Sequence, residues 1–154
     1  MKCQEINVNP DVLKILKNNN WSPDRNIDIS SILDYLKEKH FPPITKEQAR
    51  FLKNFANMEI CFENINSSNS YSIRFFKEDY LASKYWLEKY ENYTGEQLLP
   101  IGFIEYDDIF LLMDNTLKIY GAFECDIAFL GENIFEVLEI LYQDKKIIWN
   151  RIHD

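Results

Sequence analysis

The chain has 154 residues, 46% of them hydrophobic and 15% aromatic, which is ample for one packed core and too apolar for a disordered segment. Its net charge of −8 is concentrated after residue 55, where eight Lys/Arg face eighteen Asp/Glu, against nine and seven before it. Phosphate-binding surfaces carry the opposite sign, so nucleic acid and anionic membranes are excluded as expected partners, while a basic protein is an electrostatically sensible one. An acidic surface also serves solubility alone.

Asn9-Pro10 suits a helix cap followed by proline at the first helical position, with Val12, Leu13 and Leu16 giving a short amphipathic helix that ends at Asn18-Asn19-Asn20. Trp21 to Arg25 is an irregular connection, because Pro23 pushes Ser22 out of the helical region. A second helix is predicted over Ser30 to Lys39, burying Ile29, Ile32, Leu33 and Leu36, and Pro42-Pro43 interrupts the chain after it. Thr45 and Gln48 fit a reciprocal capping box, opening a helix that carries Phe51, Leu52, Phe55 and Ala56. Met58, Ile60 and Phe62 alternate with Glu59, Cys61 and Glu63 as a half-buried strand, and Tyr71 to Phe76 returns beside it across a polar loop with a mobile tip. A helix from Asp79 to about Tyr93 is crowded with Leu81, Tyr85, Trp86, Leu87 and Tyr90, and Gly95 stops it.

Leu98 to Gly131 is a series of apolar runs. Ile101–Glu105, Ile109–Asp114 and Leu117–Phe123 suit strands, and their connections are short enough only for antiparallel hairpins. Ile-Phe-Leu-Leu-Met hardly alternates, which fits a central strand covered on both faces. Asn133, with Glu136 three residues on, opens a last helix burying Ile134, Val137, Leu138 and Leu141; Lys145 to Asp154 shows no clear pattern. The expected fold class is α+β, a single domain over residues 1–154 with a largely antiparallel sheet packed against helices.

The same region holds the charge. From Glu96 to Glu139 there are ten acidic residues, opposed only by Lys118. Glu105, Asp107 and Asp108 are of the type that ligates a hard cation, yet adjacent aspartates are also what a tight turn prefers, and no EF-hand spacing surrounds them. Asp114 before Asn115 likewise reads as a turn residue. His40 and His153 lie in no metal or triad pattern. Cys3, Cys61 and Cys125 lack CxxC spacing and read as reduced, mostly core thiols. Arg25 suits either a carboxylate clamp or an internal ion pair that pins its loop. The aromatic helix Tyr80, Tyr85, Trp86, Tyr90, Tyr93 reads in two ways, as sheet packing for Trp86 and as either core rim or interface for the tyrosines. With no apolar segment at MKCQEINVNP, a cytoplasmic location is expected.

Trp-Ser-Pro-Asp-Arg at 21–25 and Phe51-Leu52 before a strand resemble the SUKH superfamily, in particular its third subgroup of bacterial immunity proteins. The resemblance continues through Trp86 and Tyr90, Leu99-Pro100-Ile101-Gly102, Leu112-Met113-Asp114, Ile119-Tyr120-Gly121 and a helix after Gly131, covering about residues 20–142. Leu117 departs from it, standing where a turn glycine is expected, and leaves that hairpin's conformation open. The resemblance implies an α+β fold, no enzymatic activity and no cofactor. It also implies that the chain binds and neutralises a cognate secreted polymorphic toxin, often a nuclease, inside the producing cell. Trp21, Arg25, Pro100, Gly102 and Asp114 carry over as fold-defining positions, none of them catalytic. The expected partner-binding residues are Glu105, Asp107, Asp108, Glu124 and Asp126 together with Asp114, facing a basic toxin domain. A non-catalytic regulatory or scaffolding module of the same fold is the second reading, and a hydrolase using Asp107, Asp108 and Asp114 the third.

Overall fold

A computed structural model describes residues 7–76, 82–105 and 107–152. Among the described residues five helices, α1 (Pro10–Asn18), α2 (Ser30–Glu38), α3 (Lys46–Phe55), α4 (Lys84–Thr94) and α5 (Ile134–Tyr142), accompany seven strands. These are β1 (Glu59–Glu63), β2 (Ser70–Phe75), β3 (Leu99–Ile104), β4 (Ile109–Met113), β5 (Ile119–Phe123), β6 (Asp126–Gly131) and β7 (Asn150–Arg151). All pair antiparallel in sequence order, one continuous meander with β4 at its centre. The fold is therefore α+β, with a single antiparallel sheet.

Local chemistry sets the helix ends. Asn9 accepts from the Asp11 amide ahead of Pro10, and the Thr45–Gln48 capping box is made in both directions. Asn133 caps α5, and Gly95 ends α4 in the left-handed region at φ 73°. Ser83 caps α4 through the Trp86 amide, so the helix starts at Lys84; the earlier start expected at Asp79 falls largely outside the described residues. The strand β6 and the short β7 went unassigned in the sequence, the first because it follows β5 after a turn of only two residues.

Alternation along the strands builds two cores. Ile60, Ile73, Phe75, Ile101, Leu111 and Met113 face α1, α2, α3 and α5, where Phe55 stacks on Trp21 at 5.5 Å and on Phe51 at 5.0 Å. Leu112, Ala122 and Ile127 face the other way, against Leu87 and Tyr90 of α4. The central strand is thus covered on both faces, which explains its unbroken apolar run. Leu33 departs from the predicted helix face and is 41% exposed.

Among the described residues Arg25 forms no ion pair. Its guanidinium donates to the backbone oxygens of Asn54 at 2.9 Å and Ala56 at 2.8 Å, satisfying the open carbonyl end of α3 and fixing the loop there. Burial lowers its pKa from the usual value. The 64–69 loop, expected to have a free tip, is tied internally: the Asn64 side chain accepts from the Ser68 and Asn69 amides, and Ile65 N–H donates to Tyr142 O at 2.7 Å. Gly102 sits where β2 and β3 approach closely, and a Cβ there would lie 2.7 Å from Arg74 O. Leu117 takes φ 73°, the backbone a glycine would supply, while its side chain packs on the larger core.

Candidate functional site

In a meander, successive turns fall at alternate ends of the sheet. The 64–69 loop, the 105–108 turn and the Glu124-Cys125 turn therefore share one end, and the 114–118 turn lies at the other. This brings Glu105, Asp107, Asp108, Glu124 and Asp126 together and separates Asp114 from them. Asp114 is 3% exposed, and its carboxylate accepts from Thr116 N at 2.8 Å, Thr116 Oγ1 at 2.7 Å and Lys118 N at 3.0 Å. It is a buried, turn-forming side chain, at the opposite end of the sheet from the other five expected partner-binding residues.

Two residues join the acidic end that sequence spacing did not point to. Glu63 closes β1 there, and Asp144 accepts from Asn66 Nδ2 at 3.2 Å. Only the docking of the loop on the end of α5 brings Asp144 in, so no local signal marks it. Its charge is felt: Tyr71's phenol is pushed up by burial and then by Asp107 and Asp144.

The carboxylates are not equivalent. Glu105 contacts the Arg74 guanidinium, which also lies 3.7 Å from Glu59, and Asp126 lies 3.4 Å from Arg151. Among the described residues no ion pair neutralises Asp107, Asp108 or Glu124. The Asp107 carboxyl is raised above its usual range, first by partial burial and then by the Asp108 charge beside it. Asp108 and Glu124 hold left-handed backbone, φ 54° and 48°, at their turns. From α4, Tyr90 donates its hydroxyl to Glu124 O at 2.8 Å and fixes that turn. Its phenol is pushed up to about 12, by burial first and then by Cys125, Glu124 and Asp126. The end is strongly negative.

Other candidates do not converge. His40 is exposed at the end of α2, while His153, Cys3 and Tyr80 lie outside the described residues. Cys61 is exposed and Cys125 half-buried, so neither is the core thiol expected of it. Trp86 stacks on Tyr90 at 6.0 Å against the smaller core, whereas Tyr85 and Tyr93 face solvent. An open groove of about 430 Å3 between α3 and the start of α5 is floored by Phe51, Phe55 and Phe135, and Asp24, Glu47, Arg50 and Lys53 also line it. Among the described residues no group of three or more His, Cys, Asp or Glu side chains could hold a metal ion, and no helix is long and apolar enough to cross a membrane.

These features define an α+β protein with a helix-backed antiparallel meander and a negatively charged turn end. The family model of the SUKH-3 immunity protein matches residues 8–144, and the chain belongs to that family. Membership brings with it immunity against a toxin through binding the cognate toxin protein. Comparisons with curated proteins and with solved structures find no match.

Proposed function

We propose that the chain neutralises its toxin by occlusion, laying the acidic end of the sheet over a basic, substrate-binding surface of the toxin domain in the cytoplasm of the producing cell. A nuclease fits best, because a phosphate-binding cleft must be basic and is blocked by an array of carboxylates. The observation that carries this is the gathering of Asp107, Asp108 and Glu124 on two neighbouring turns, unneutralised by ion pairs among the described residues. A partner cation relieves the unfavourable ionisation of Asp107, so part of the cost of assembling the end returns on binding. No bond is made or broken; inhibition follows from excluding the substrate.

The test is Asp107→Lys combined with Asp108→Lys, which changes the net charge from −8 to −4, each reversal contributing +2. Association with the toxin domain encoded beside this gene should slow about tenfold or more at low salt, with the gap closing as ionic strength rises. Co-expressed cells should lose protection. Unchanged association and survival would remove this end from the interface, and a neighbouring gene without a toxin would favour a regulatory module.

A further inference from the structure

The two edges of the sheet are finished differently. On β1, the Asn19 side chain at the end of α1 donates to Cys61 O at 3.0 Å and accepts from Cys61 N–H at 3.0 Å, closing that edge at its middle. On the other side, among the described residues, β7 pairs with Asp126 and Ile127 alone. Ile152 N–H donates to Cys125 O at 2.6 Å, which sets the alternation: Cys125, Ile127 and Phe129 turn their backbone groups outward. Among the described residues nothing pairs with Phe129 on that side. Its side chain is 48% exposed and meets Tyr120 edge to face at 5.8 Å. Glu96 and Glu132 are exposed nearby, and with Asp114 their charges push Tyr120's phenol up, after burial.

An open strand end, two ring faces and two carboxylates suit an extended segment with a cationic side chain, since Lys and Arg bind ring faces and carboxylates together. A second copy fits poorly. Antiparallel pairing of two β6 strands about Phe129 would drive the Glu132 end of each into the β7 of the other, which already covers the edge at Asp126 and Ile127. We propose that the open end of β6, with Tyr120, Phe129, Glu96 and Glu132, is a docking surface for an extended Lys- or Arg-bearing segment of the toxin domain, which adds a strand beside Phe129. This rests on the toxin-binding reading and supplies a second contact, displaced along the sheet from Asp107.

The probe is the toxin domain encoded by the neighbouring gene, inactivated in its own catalytic residue, titrated calorimetrically into the full chain and followed by amide hydrogen exchange. Phe129→Pro removes the outward N–H at an edge position where proline is tolerated. Glu96→Lys with Glu132→Lys reverses two exposed charges and leaves the core alone. Each should raise Kd about tenfold with an unchanged melting temperature for the charge pair, and the wild-type Phe129 amide should gain protection on binding. If the charge pair binds as wild type and Phe129 gains no protection, while Asp107→Lys with Asp108→Lys still weakens binding, the docking surface is refuted and the occlusion reading stands. A dimer of this chain that Phe129→Pro dissolves would also refute it. No binding by the wild type overturns both.

Discussion

Replacing Asp114 separates the roles of the two ends of the sheet. Its carboxylate accepts three hydrogen bonds, from Thr116 N, Thr116 Oγ1 and Lys118 N, in a site 3% exposed. Asp114→Ala removes all three and leaves two amides short of a partner. The hairpin's own backbone bonds survive, since Leu117 N–H still donates to Asp114 O and Asp114 N–H to Lys118 O. Bonds to a charged acceptor contribute about 1.5–3 kcal/mol each and are not additive in one cluster, so the loss should be about 3 kcal/mol. For a chain of this length that lowers the melting temperature by roughly 6–12 °C. Asp114→Asn keeps one acceptor oxygen and should lose about a third of that. Thermal and urea unfolding by circular dichroism measure both, and toxin association is followed well below the transition. A shift under about 2 °C for Asp114→Ala, or slowed association without lost stability, would overturn the assignment of Asp114 to the turn.

Gly102→Ala places a methyl group 2.7 Å from Arg74 O, a backbone atom that cannot swing aside, and should cost about 1–3 kcal/mol in urea unfolding. Tyr90 makes stability fall in alkali. Its folded pKa of about 12 exceeds the ordinary 10.0, so its contribution is complete below about pH 10 and is lost as pH rises toward 12. Tyr90→Phe should flatten that part of a melting-temperature profile while lowering its neutral plateau through the lost bond to Glu124. Asp107 has the same sign at acid pH. Its raised pKa means that the proton favours the fold, with stability lost as pH climbs from the ordinary 3.8 through the raised value. Asp107→Asn imitates the protonated form and should raise the melting temperature at neutral pH while slowing toxin association.

Much of this fold is written in local chemistry. Asn9-Pro10, Thr45 with Gln48, Asn133 and Gly95 each set a helix end through groups within four residues, so their spacing alone located them. The covered central strand declared itself through its lack of alternation. What escaped depends on long-range placement. Arg25 finds the backbone oxygens of Asn54 and Ala56, and Leu33 is left 41% exposed, neither of which a helical pattern reveals. Two-residue β7 is too short to carry a period. The separation of Asp114 from the other five acids was within reach, since three hairpins in a row must alternate ends. Asp144 was not, because it arrives through the contact of the 64–69 loop with the end of α5.

The Asn19 side chain gives the molecule a direction. By offering one donor and one acceptor to Cys61, a carboxamide imitates the next residue of a strand that is not there. A filament requires every subunit to present two mutually compatible borders, and here one of them is stoppered. Any strand addition at the far border ends after a single step, so the chain accepts a partner without seeding fibres of itself.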